Sequence, residues 1–192
     1  MTALANLQQH LNRFWALPHH EDAALNTKLK EVQAWQQARI KRTHSALFEQ
    51  PKNQLMADYF LTQLYGGDEF KVLAEQLGRI LPKAKKLERL AKESSLEAGS
   101  MGIQASILAI ELDLHLAEWL VAQDLAVNEE NMLAAYRAVD EADERRVQIN
   151  NLKEVCYRTD KDLNSFMLKK AFAMAKGAAY RYNFQPLYDF ID

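Results

Sequence analysis

Apolar residues recur along this chain at intervals of three and four, the repeat that aligns side chains on one face of an α-helix, and no stretch shows the every-second-residue alternation of a half-buried strand. Leu4, Leu7, Leu11 and Phe14/Trp15 predict a first helix over about 4–17, halted at "PHHED". Leu25, Leu29, Val32, Trp35/Gln36, Ile40 and Leu47 trace one face of a long second helix over about 22–49, ended by Pro51. A third is expected over about 52–65 and a fourth over about 69–80, the latter with Phe70, Leu73, Leu77 and Ile80 as its stripe. Pro82 opens a basic fifth helix. The run "SLEAGSMG", 95–102, collects small and turn-forming residues and reads as a loop, followed over about 101–123 by the most apolar helix of the chain. Asn128 is placed to cap the next helix, which carries Met132, Tyr136 and Val139 before the charged "DEADERR". "VQINNLKEVCY", "DLNSFMLKKAFAMAK" and the aromatic "PLYDFID" read as helical too. With only six glycines and four prolines for punctuation, the expected fold is all-α: one domain over residues 1–192, a bundle of about eight helices.

Composition narrows the function classes. A chain of 192 residues, 48% hydrophobic and 26% charged, is long enough to bury a real core and too apolar to stay disordered. The formal net charge of -2 gives no general attraction to nucleic acid or anionic lipid, so neither is expected as a partner. The local basic runs "ARIKR" (38–42) and "KAKK" (83–86) read as solvated helix faces. Cys156 stands alone, so no internal disulfide can form; flanked by Val155 and Tyr157, it reads as a half-buried, inert thiol. No window approaches the ~20 apolar residues needed to cross a bilayer, and the start of the chain lacks the pattern of a secretory leader, so a cytoplasmic protein is expected.

The run "LYGGDEF", 64–70, contains the five letters after which the GGDEF diguanylate cyclases are named. In that family the signature sits at a turn between two strands. Here the preceding "LMADYFLTQLY" and the following Phe70, Leu73, Leu77 and Ile80 are both spaced as helices. The letters then have a local explanation: Gly66 or Gly67 closes one helix in the left-handed conformation, and Asp68 caps the next with Glu69 in its first turn. The cyclase string is read as coincidental.

The longer stretch "YFLTQLYGGDEF" resembles a different group, the uncharacterised bacterial proteins named for an FFLEELY motif. Phe60, Leu61, Leu64, Tyr65 and Gly66 match as they stand, Tyr59 replaces the first aromatic, and Asp68 follows shortly after. Thr62 and Gln63 stand where the family name has two glutamates, so no function needing that acidic pair carries over. The similarity runs on through "LGRILPKAKKL" to "AYR" (135–137) and "RRVQI" (145–149). It implies a small helical protein and supplies no catalytic residues.

The best remaining candidate for chemistry is a polar stripe on the apolar helix "IQASILAIELDLHLAEWLVA". Gln104, Glu111, His115 and Glu118 follow at spacings of seven, four and three and project from one side, with Asp113 rotated away. Ferritin-like carboxylate proteins repeat a Glu-x-x-His on two helices to hold two metals. Here the Glu-to-His spacing is four and no second Glu-x-x-His exists, although His44, Asp58, Asp140 and Asp143 could complete a site in space. No metal and no cofactor is therefore expected, and the stripe is expected to face solvent or to pair internally.

His19 and His20 read as a solvated loop, and Trp15, Trp35, Trp119 and the aromatic series from Tyr180 to Phe190 as packing. The leading functional expectation is a protein-interaction or regulatory module, with a protein partner or self-association. The alternative is a carboxylate-bridged metal enzyme or a ligand-binding protein with a pocket around Glu111, His115 and Glu118.

Overall fold

The computed structural model describes residues 2–54, 61, 68–82, 93–163 and 180–181. Among these the secondary structure is entirely helical: α1 (Ala3–Trp15), α2 (Ala23–Thr43), α3 (Ser45–Phe48), α4 (Asp68–Ile80), α5 (Glu93–Ala122), α6 (Glu129–Val139) and α7 (Ala142–Leu163). Short 3-10 turns lie at Pro18–His20 and Pro51–Asn53. The all-α bundle expected from the periodicity is what the chain forms. Of the earlier expectations, most of the helix over 52–65, all of the FFLEELY-like heptapeptide 59–65 except residue 61, and the helix closure at Gly66 or Gly67 fall outside the described residues, as do the basic run after Pro82 and most of the chain beyond 163. Of that stretch, Leu61 is described and buried, with its carbonyl accepting from Gln37 Nε2 at 2.9 Å.

α5 is the centre of the assembly, and α1, α2, α6 and α7 all pack on it. It is buried on nearly every side over 102–120, and Ile103, Ile107, Ile110, Leu114 and Ala117 join the common core with Leu11, Phe14, Leu29, Val32, Phe70 and Met132. Each large side chain fully withdrawn from water there contributes about 1.5–3 kcal/mol. Caps set the helix starts. Thr2 Oγ1 accepts from the Ala5 amide, Asp22 accepts from Ala24 and Leu25, and Asn128 accepts from Asn131. α6 ends at Asp140, whose backbone is left-handed (φ 53°, ψ 43°).

Four sequence expectations are corrected. The run "SLEAGSMG" is not a loop but the first turns of α5, which continues unbroken from Glu93 to Ala122. Ala98, Ser100 and Gly102 are buried within this continuous helix, and Gly102 faces Val155 of α7, whose Cγ1 would lie 3.8 Å from a Cβ placed there, an ordinary contact. The long second helix breaks at His44, and Leu47, expected on its buried face, is exposed. Cys156 is exposed, because Val155 beside it is the residue turned toward α5. Asp68 is the first residue of α4 and not its cap; its carboxylate accepts from Lys30 Nζ at 2.9 Å.

Candidate functional site on the central helix

Residues two apart on a helix are turned by about 200°, so Glu111 and Asp113 leave α5 on different sides and meet different helices. Asp113 is fully buried. Arg145 of α7 donates to its Oδ1 at 2.5 Å, and Gln36 of α2 donates to the same oxygen at 3.3 Å. Gln36 also donates to the Tyr136 hydroxyl of α6, and its own carbonyl accepts from Arg39 Nε at 3.2 Å. The guanidinium carbons of Arg39 and Arg145 lie 6.0 and 5.9 Å from the centre of the Tyr136 ring, which adds cation–π attraction. Burial raises the pKa of the Tyr136 hydroxyl, with the cation of Arg145 opposing. One polar layer thus ties α2, α6 and α7 to the middle of α5.

Glu111 is buried as well, and Arg13 of α1 donates to its Oε2. Burial outweighs the nearby guanidinium, so the Glu111 carboxyl lies above the ordinary carboxylate range. His115 is exposed and its Nδ1 lies 2.6 Å from Glu141 Oε1, at the corner between α6 and α7. Glu118 is exposed and Gln104 half-buried. The stripe read from spacing is therefore divided: Glu111 is paired internally, His115 is paired at the surface, and Glu118 faces solvent. Among the described residues, no three His, Cys, Asp or Glu side chains are grouped to hold a metal ion. His44 and Asp143 are exposed, Asp140 caps α6, and Asp58 lies outside the described residues.

Sequence reasoning missed Asp113. Its partners lie far away along the chain, 77 residues toward Gln36 and 32 toward Arg145, and no local spacing announces such pairs. A usable signal was the composition of the helix itself: when nearly every position is apolar, any carboxylate on it is a candidate for burial. Beside the layer lies a pocket of about 140 Å³ lined by Leu112, Leu116, Tyr136 and Val139, with Glu141 and Arg145 at its polar end. Asp113 Oδ2 and Glu141 Oε2 are buried without a hydrogen-bond partner.

His19 and His20 also depart from expectation. Both pack onto Phe14, with ring centres 6.2 and 4.7 Å from it, and the two imidazoles lie 4.0 Å apart. His19 is only 8% exposed. Burial, then His20 and Lys71, push its pKa down to about 4, so it is neutral at ordinary pH. His20 Nε2 donates to the Phe14 carbonyl at 3.0 Å, and burial lowers its pKa too.

Fold and site define an all-α bundle whose central helix is clasped to its neighbours by buried ion pairs. The chain belongs to the family described as domain of unknown function DUF8198, which it matches over residues 16–192. No curated protein and no solved structure matches it. Among the described residues no helix is long and apolar enough to cross a membrane.

Proposed function

We propose that the chain is a cytoplasmic protein-interaction or regulatory module of the bacterial FFLEELY-motif group, folded as a single domain, and that it associates with a second copy of itself through α7. The observation that carries this reading is the outward face of that helix, where Ile149 and Tyr157 are 62% and 67% exposed and Cys156 and Lys153 lie between them. Spacings of four, seven and eight from Ile149 put these residues on one side, away from Gln148 and Val155, which face the bundle. A two-fold pairing of this face with its own copy would bury Ile149 and Tyr157 of each chain against the other.

Size-exclusion chromatography with light scattering tests this on the full chain. A dimer that Ile149→Asp and Tyr157→Asp each convert to a folded monomer supports it. A strict monomer that captures no partner from its native extract sinks it.

The alternative, a metal or ligand site around Glu111, His115 and Glu118, draws on the neighbouring, mainly apolar pocket lined by Leu112, Leu116, Tyr136, Val139, Glu141 and Arg145 rather than on convergence of the three side chains. Elemental analysis of protein purified without chelators decides its metal form.

A further inference from the structure

The cleft between the Pro18–His20 turn, α2 and the start of α4 has the make-up of an anion site. It encloses about 80 Å³, floored by Phe14, Leu29 and Ile110, and its polar lining is His19, His20, Asn26, Lys30, Gln33, Asp68 and Lys71. All of these except Asp68 can donate a hydrogen bond. Asp68 is already engaged by Lys30 at 2.9 Å, on an exposed rim. Lys71 has no ion-pair partner among the described residues, which leaves the cleft with one more cation than anion.

A second observation points inward. His19, more than nine-tenths buried, is one of the lining residues, and its Nδ1 is buried without a hydrogen-bond partner. An orphaned buried nitrogen beside surplus positive charge is costly unless something fills the space. We propose that this cleft binds the tetrahedral oxyanion of a phosphate group, carried by a small phosphomonoester or present as the free ion.

Size and geometry favour that class. About 10–15 Å³ of such space holds one water, so a cleft of about 80 Å³ seats a compact group of a few heavy atoms, while the remainder of an ester would extend into solvent past the exposed Lys30 and Lys71. Donors come from three elements: His19 from the turn, Asn26, Lys30 and Gln33 from α2, and Lys71 from α4. That spread suits the several acceptor oxygens of a tetrahedral anion better than the two coplanar oxygens of a carboxylate.

Charge coupling follows. The groups facing His19 are His20, Lys30, Lys71 and the lysine-held Asp68. Lys71 and His20 now oppose protonation of His19; a bound dianion would favour it, so binding takes up a proton at His19 or His20.

The test is titration of the full chain at constant ionic strength with inorganic phosphate, glycerol 3-phosphate and acetate, followed by calorimetry and by the histidine ring NMR signals. Phosphate is expected to bind, to move the His19 midpoint upward from about 4, and to release heat that depends on the ionisation enthalpy of the buffer. Lys71→Gln, an exposed change that leaves thermal unfolding intact, should weaken binding by about tenfold or more, as loss of a charge-assisted contact does. Lys52→Gln, elsewhere on the surface, should leave it unchanged. Tighter binding of glycerol 3-phosphate identifies a phosphomonoester ligand, and equal or weaker binding identifies the free ion. Absence of binding, an equal response to acetate, or indifference to Lys71→Gln overturns the proposal.

Discussion

In the middle of α5, Asp113 and Glu111 are buried against arginines from α7 and α1, whereas at the Pro18–His20 turn two imidazoles are packed on Phe14 with lysines as their charged neighbours. Both regions keep ionisable side chains away from water, with opposite solutions. At the helix centre each carboxyl is paired with an arginine, Asp113 with Arg145 and Glu111 with Arg13; at the turn burial and the nearby cations keep His19 neutral at ordinary pH. A matched pair has nothing left to offer a ligand at the bonded atoms, and its role is to fix which helix faces which. An unmatched, neutralised group beside spare cations still has a bond to make.

The sharpest way to break the comparison is to unmatch the helix centre. Arg145→Ala leaves a fully buried carboxylate without its cation, and should cost about 3–5 kcal/mol in urea unfolding. Asp113→Leu with Arg145→Met removes both charges together and should lose much less. Arg13→Ala provides the scale: the Arg13 side chain is 55% exposed, so its loss should cost far less than that of Arg145. Equal losses for the two arginines would mean that burial does not separate them.

Next in size is a pH effect at the turn. The folded-state pKa of His19 is lowered from 6.5 to about 4, so between those values the unfolded chain takes up a proton that the folded chain refuses. Stability contributed by neutral His19 is therefore complete above 6.5 and falls as the pH drops to about 4, by on the order of 2–3 kcal/mol. Unfolding melts across this range should show the decline, and His19→Gln should flatten it. Glu111 has the opposite sign: its raised pKa means that the folded state holds its proton longer, so its contribution is lost as pH rises above the usual carboxylate range.

The fold was legible where helices are amphipathic. Leu7, Leu11 and Phe14, or Phe70 and Leu73, repeat at three and four residues and are buried as that repeat requires. It was illegible at 95–102, because glycine and serine mark a break in isolation, whereas within a helix already held by its neighbours Ala98, Ser100 and Gly102 are simply buried and the helix runs through them. The site was legible as a list of polar positions on an apolar helix and not as a geometry. A helix buried all round has no face that sequence can single out, and the partners of Asp113 and Glu111 sit 32 to 98 residues away.

The corrected helix start gives a smaller test. A Cβ at Gly99 meets nothing within 4 Å, so Gly99→Ala should stabilise α5 by about 0.5–1 kcal/mol in thermal melts; a loop at 95–102 would give no such gain. Smallest is Asp68→Ala. An exposed ion pair with Lys30 is at stake rather than a cap, so the loss should stay within about 1 kcal/mol. A larger cost would restore the capping role read from "GGDEF".

The contrast between matched and unmatched buried groups is tested most directly by following the His19 ring NMR signal against pH in phosphate-free buffer. A midpoint near 4, with His19 neutral through the physiological range, is the predicted result. A midpoint at the ordinary histidine value of 6.5 would mean that the turn is solvated and its cations are no constraint, and would contradict the account.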